Sequence, residues 1–190
     1  MATDTTVKLM TSDDLFALPH SKRVDRWLFR GELRESKVTK RNPSHSGTTA
    51  TLSRLLGNWL KAQPKPRGKI YDGEAYFRIR QDPETNVGVD VALSTPEQAA
   101  NTKKKANFVD GPPVLAVEVL SPNDKQRDIN DTIDEYLECG TKQVWIVNPY
   151  ADTVTVHRAN VEPVMYTRSQ TLPGGEELPG FSCSVAEIFE

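Results

Sequence analysis

The run Pro113-Val114-Leu115-Ala116-Val117-Glu118-Val119-Leu120-Ser121-Pro122 constrains this chain more than any other stretch. It is short, rich in β-branched residues and bounded by prolines, the pattern of a strand buried on both faces of a sheet. One carboxylate, Glu118, interrupts it. A lone carboxylate in apolar surroundings is costly unless it is paired, protonated or bound to a metal. A second acid, Asp90, occupies the similar run Val87-Gly88-Val89-Asp90-Val91-Ala92-Leu93. Two apolar strands that each carry one acid point to a small metal site.

At 190 residues the chain is expected to form one domain, residues 1–190, with a loose N-terminal segment over 1–10. Its two cysteines, Cys139 and Cys183, offer no zinc or disulfide framework. No N-terminal apolar segment resembles a signal peptide and no apolar run has membrane-spanning length, so a soluble, cytoplasmic protein is expected, with no membrane partner. The formal net charge of −2 conceals an asymmetry: residues 19–70 hold 13 Lys/Arg and three acids, a local charge of 13 − 3 = +10. Such a segment is either the footprint of a polyanion or a solvated basic face balanced in space by acidic neighbours.

Local signals place the elements. Thr11-Ser12-Asp13-Asp14 predicts the cap of a short helix through Leu18. Gly31–Val38 reads as a strand. Asn42-Pro43 caps and opens the clearest helix, with an apolar stripe of Leu52, Leu55, Leu56, Trp59 and Leu60. Lys69–Asp72 and Glu74–Arg80 read as strands, and a turn over residues 82–86 returns the Asp90 strand beside them. Residues 95–112 read as a polar connector, with a solvated Lys103-Lys104-Lys105 loop. After the Glu118 strand, a helix is expected from Asp128 to Glu138, burying Ile129, Ile133, Tyr136 and Leu137 and stopping at Gly140. A buried strand at Val144–Val147, a hairpin of Thr153–Arg158 with Pro163–Thr167, and a short helix over Val185–Phe189 complete the order. The fold class is α/β with a mixed sheet.

Carboxylates on adjacent strands are what metal-dependent phosphodiester cleavage requires, because they hold Mg²⁺ through oxygen beside a phosphate. The bland alternative has Asp90 ending a strand in solvent and Glu118 paired with a buried base. Cys139 reads as a small packing residue and Trp145 and Trp59 as core. His45, near the start of the long helix, is expected to be exposed, where it is available to a phosphate.

The run from Gly111 to Pro122 resembles the signature of the putative restriction endonuclease family abundant in cyanobacteria and planctomycetes, within the PD-(D/E)XK nuclease superfamily. The resemblance continues through Arg127-Asp128-Ile129, Tyr136–Gly140, Val144–Pro149 and Leu178-Pro179-Gly180-Phe181, and begins upstream with Gly31-Glu32-Leu33 and His45. It implies a restriction-endonuclease-like core, a mixed β-sheet flanked by helices. It also implies a metal-dependent DNA endonuclease that uses Mg²⁺ or Mn²⁺ and pairs as a homodimer. The family's paired acids, catalytic and metal-holding, fall on Asp90 and Glu118.

Three departures from the family pattern bear on activity. Where the superfamily has Lys two residues after the Glu, this chain has Leu120. Where members of the family place that Lys on the following helix, it has Thr132. Where they carry an accessory Glu before the Gly-Glu-Leu run, it has Trp27. Val89 in place of a Pro before Asp90 is a lesser change. Either Lys125 or Arg127 substitutes for the missing cation, or the chain is a nuclease-fold module that binds nucleic acid or acts as a scaffold without cutting. Lys37, Lys40, Arg41 and His45 are the expected DNA-contacting residues.

Overall fold

A computed structural model describes residues 9–37, 42–122 and 124–190. Thr11 accepts from the Asp14 backbone while Asp14 reaches back to the Thr11 backbone, a capping box that starts α1 (Ser12–Ala17). Two antiparallel strands follow, β1 (Val24–Phe29) and β2 (Glu32–Lys37). The second is the strand expected from Gly31 onward, whereas β1 carries too little alternation to announce itself. Asn42 caps α2 (Pro43–Ala62) by accepting from the His45 backbone N–H. The two strand candidates around Gly73 are one strand, β3 (Ile70–Gln81), kinked by a register shift between Asp72 and Ala75. Gly73 and Glu74 both take positive φ there, as a bulge demands. β4 (Glu84–Leu93) returns antiparallel to it along its whole length.

The polar connector contains structure that its composition hides. α3 (Pro96–Asn101) buries no side chain, so it has no apolar periodicity to read. It is specified by a Thr95–Gln98 capping box and a proline in its first turn. Two residues, β5 (Val109–Asp110), then pair with β3. β6 (Leu115–Val119), α4 (Gln126–Glu138) and β7 (Gln143–Asn148) form the strand–helix–strand unit, and β6 and β7 run parallel. The hairpin β8 (Thr153–Arg158) and β9 (Val161–Thr167) closes that side of the sheet. A small second sheet, β10 (Thr171–Pro173) with β11 (Ser182–Ser184), was not foreseen, and α5 (Val185–Ile188) ends the order. Each of its strands contributes one buried residue, Leu172 or Cys183, too short a pattern to detect.

The main sheet runs β2-β1-β4-β6-β7-β8-β9, with β3 and β5 attached beside β4. Its central strands are buried on both faces, which is why they read as unbroken apolar runs. Val117, Val119, Trp145 and Val147 face Leu52 and Leu56 of α2. Ala116, Val144 and Ile146 face Ile133 and Tyr136 of α4. Each fully buried leucine contributes roughly 2 kcal/mol by leaving water. Among the described residues, no helix is long and apolar enough to cross a membrane.

α4 is fixed to the sheet by a charge as well as by its apolar stripe. Ile133 and Tyr136 are buried as expected, Ile129 and Leu137 only partly, and Glu135 is 1% exposed. Its carboxylate accepts from Arg30 at 2.8 Å, Arg80 at 2.7 Å and the Thr85 hydroxyl at 2.7 Å, so β3, β4 and the β1–β2 turn converge on one helical side chain. Burial pushes the Glu135 carboxyl up, but the hydrogen bonds from Arg80, Thr85 and Arg30 outweigh it and hold it below the usual range. Glu135→Ala is therefore expected to cost roughly 2–3 kcal/mol at neutral pH, read from urea unfolding. A folded-state pKa below the ordinary 4.5 gives stability that is present above 4.5 and lost as the pH falls through the folded value. The gap between the natural protein and Glu135→Gln should close on acidification. A gap that stays constant at acid pH would contradict the account.

Candidate active site

The site lies where the sheet forks. On the side away from β3, β4 pairs with β6 through Val91–Val117, Ala92–Ala116 and Leu93–Leu115, but at Asn86 its partner is Leu28 of β1. Asp90 is the first residue beyond the paired stretch, and continuing the antiparallel register sets it opposite Glu118. The next rung is made by a side chain: Val119 N–H donates to Asp90 Oδ2 at 2.8 Å. Asp90 is 6% exposed, so the solvent-exposed strand end of the bland alternative is excluded. A hydrogen bond from a backbone amide is one of the few ways to keep such a carboxylate buried.

Glu118 is held from the other direction. Tyr136 Oη donates to Glu118 Oε1 at 2.7 Å. Tyr136 is fully buried on α4, and burial pushes its hydroxyl pKa well above the ordinary value. The charge of Glu118, the hydrogen bond to it and the charge of Asp90 add to that rise. The phenol therefore stays protonated and remains a donor to the carboxylate. Tyr136 was foreseen only as core. It stands four residues beyond position 132 on the same helix face, and that spacing was the available signal.

His45 is a residue that the sequence placed wrongly. It is 3% exposed, and its Nε2 lies 3.3 Å from Asp90 Oδ2. The buried residues of α2 are His45, Thr48, Leu52 and Leu56, a single helical stripe. Extending the leucine stripe back by seven residues reaches His45, so its burial was legible.

The other described candidates make contacts of their own. Arg127 is 89% exposed and sits 3.9 Å from Asp131. Lys125 is an exposed cap of α4. Thr132 donates its hydroxyl to the Asp128 carbonyl at 2.8 Å, and Leu120 packs partly buried beside Ile129 and Tyr136. Trp27, at the accessory Glu position, packs against the same cluster. Lys37 is exposed at the end of β2, while Lys40 and Arg41 lie outside the described residues. The basic segment is partly neutralised: Arg26 pairs with Glu35, Arg30 with Glu135 and Glu138, Arg34 with Glu32 and Arg54 with Glu187. Burial and the charge of Glu135 push the Cys139 thiol up to about 11, in keeping with a packing role.

The donor set suits a divalent cation. Among the described residues no three His, Cys, Asp or Glu side chains are grouped so as to hold a metal ion. Mg²⁺ centres commonly use one or two carboxylates and complete the shell with water and phosphate oxygens. Asp90 and Glu118 are two such carboxylates, and the buried imidazole of His45 lies 3.3 Å from Asp90 Oδ2.

If Tyr136 fixes Glu118 as the geometry indicates, Tyr136→Phe should cost about 1–2 kcal/mol in urea unfolding. A double-mutant cycle with Glu118→Gln should return a coupling of about 1 kcal/mol. Additive effects would show that the bond contributes nothing.

The family model Uma2, described as putative restriction endonuclease, matches residues 12–186. Among solved structures, the chain is similar to a putative nuclease belonging to DUF820 from Anabaena variabilis. That similarity has a TM-score of 0.77 at 18% identity and covers 93% of this chain and 96% of that one. The similarity establishes the restriction-endonuclease-like fold. No match was found among curated proteins.

Proposed function

We infer the function from one premise: the chain belongs to the Uma2 family. Family and fold support a nuclease. We propose that it is a metal-dependent DNA endonuclease whose site is the Asp90–Glu118 fork. The observation that carries this proposal is the hydrogen bond from Val119 N–H to Asp90, which brings the acid of one strand to the backbone beside the acid of the next. A structural carboxylate would need only its own partner. Two of them at one sheet fork, each oriented by a separate donor, form a cation-binding edge.

Restriction-endonuclease-like families generally use divalent metal ions, and Mg²⁺ or Mn²⁺ suits the oxygen donors of this site. The cation supplies charge that polarises the scissile phosphate and makes hydroxide available near neutral pH. The chain supplies the rest. Val119 N–H fixes the Asp90 carboxylate, Tyr136 fixes Glu118, and the apolar walls of β4 and β6 lower the local dielectric. The exposed Lys37 lies on the basic β1–β2 segment, which is suited to the phosphate backbone.

The positions from which a lysine would stabilise transition-state charge hold Leu120 and Thr132. Removing such a group typically costs roughly a hundredfold in rate. We therefore expect slow cleavage of supercoiled plasmid with Mg²⁺ or Mn²⁺, lost in Asp90→Asn and Glu118→Gln. Thr132→Lys, alone or with Trp27→Glu, should accelerate it, and Glu118→Gln should remove the gain. Cleavage that survives both acid substitutions would place the chemistry elsewhere. DNA binding without metal-dependent cleavage, unchanged by Thr132→Lys, would favour the binding-module reading that the same two positions permit.

A further inference from the structure

We propose that Tyr150 is a base-stacking platform beside the Asp90–Glu118 fork, so that the protein engages single-stranded or locally unpaired DNA in preference to intact duplex. The inference rests on the reading of the chain as a DNA nuclease and adds to it a substrate-contacting residue and a DNA form.

Three observations support it. First, Tyr150 is 54% exposed and is the only exposed Phe, Trp or Tyr among the described residues. Single apolar side chains on a surface are ordinary, so exposure alone assigns nothing. Second, this exposed ring is tied at both ends. Its backbone N–H donates to Asn148 Oδ1 at 2.9 Å, and its hydroxyl accepts from Asn42 Nδ2 at 2.7 Å. Holding an exposed side chain in one orientation costs conformational entropy, and an aromatic face ordered in advance spares a ligand that cost. Third, the ring stands at the rim of the candidate site. Asn42 also accepts from the His45 backbone N–H at 2.8 Å, and His45 Nε2 lies 3.3 Å from Asp90 Oδ2, so Asn42 and His45 link the ring to the acid. The parallel β6–β7 ladder pairs Glu118 with Ile146, and the chain beyond β7 reaches Tyr150 at that same end of the sheet.

The chemistry then fixes the class of ligand. An aromatic ring whose hydroxyl is already bonded offers a partner its face. Every nucleobase has a matching face, and stacking on an aromatic side chain tolerates any sequence. In a duplex those faces are covered by neighbouring base pairs, so the platform takes bases that are unpaired or turned out of the stack. The surroundings accept the attached phosphate: the first turn of α2, capped by the same Asn42, carries no acidic side chain.

The test uses the full-length protein in EDTA at low salt, so that cleavage does not enter the readout. A single-stranded oligodeoxynucleotide and its duplex are titrated by fluorescence anisotropy. A single strand substituted with iododeoxyuridine is photocrosslinked and the adduct mapped by mass spectrometry. The unmutated protein should bind the single strand more tightly than the duplex and crosslink at Tyr150, a result that needs no variant. Tyr150→Ala should weaken the single strand about tenfold or more and the duplex by less than about twofold. Tyr150→Phe lacks the same hydroxyl but keeps the ring, and it should recover most of that loss. Equal losses on both DNA forms, or a Phe variant as weak as the Ala variant, would overturn the stacking role. No binding to either form, or single-strand affinity unchanged in Tyr150→Ala, would overturn it as well. Plasmid cleavage that is lost in Asp90→Asn would then leave the nuclease reading standing, whereas absence of both binding and cleavage would remove that reading and this proposal together.

Discussion

A buried carboxylate, Asp90, and a half-buried one, Glu118, must be satisfied by neighbours that cannot move, and much of this structure follows from that requirement. Asp90 is satisfied by the Val119 amide only because β4 and β6 separate beyond Val91, leaving that amide without a strand partner. Glu118 is satisfied by Tyr136 only because α4 lies across β6 and β7. α4 lies there because Ile133 and Tyr136 fill the apolar face and because Glu135 is held by Arg30, Arg80 and Thr85. The charge network at Glu135 and the hydrogen bond at Glu118 are one residue apart on the helix. Both depend on the same seating of α4 against the sheet.

The two faces of the sheet contribute differently. The α2 face supplies most of the large apolar core, around Leu52, Leu56 and Trp145, and it brings the buried His45 to Asp90. The α4 face is smaller and carries the polar contacts that orient Glu118. A site placed between two cores gains rigidity from both, because each carboxylate is oriented by an element that is itself packed.

Legibility in the sequence followed the physics of each signal. The central strands, α2 and α4 could be read because burial on a sheet or on a helix face imposes a period on the apolar residues. The two acids could be read because they violated that period. β1, α3 and the β10–β11 pair could not, since they bury too few side chains to leave a pattern. His45 was misjudged for a different reason: it follows the period of its helix, and a polar side chain on a buried stripe was read by its residue type where its position was the better guide. Tyr136 was read correctly as core, but its hydroxyl's bond to Glu118 left no trace in the period. The excess charge of the basic segment is a property of the sequence window, and several of its arginines find carboxylates in space, including the distant Glu135 and Glu187.

The central claim, that the fork between β4 and β6 is a cation-binding edge, is tested most directly by anomalous scattering from a crystal soaked in Mn²⁺. The account predicts one anomalous peak within coordination distance of carboxylate oxygens from both Asp90 and Glu118. A soaked crystal with no peak between those two carboxylates would contradict it.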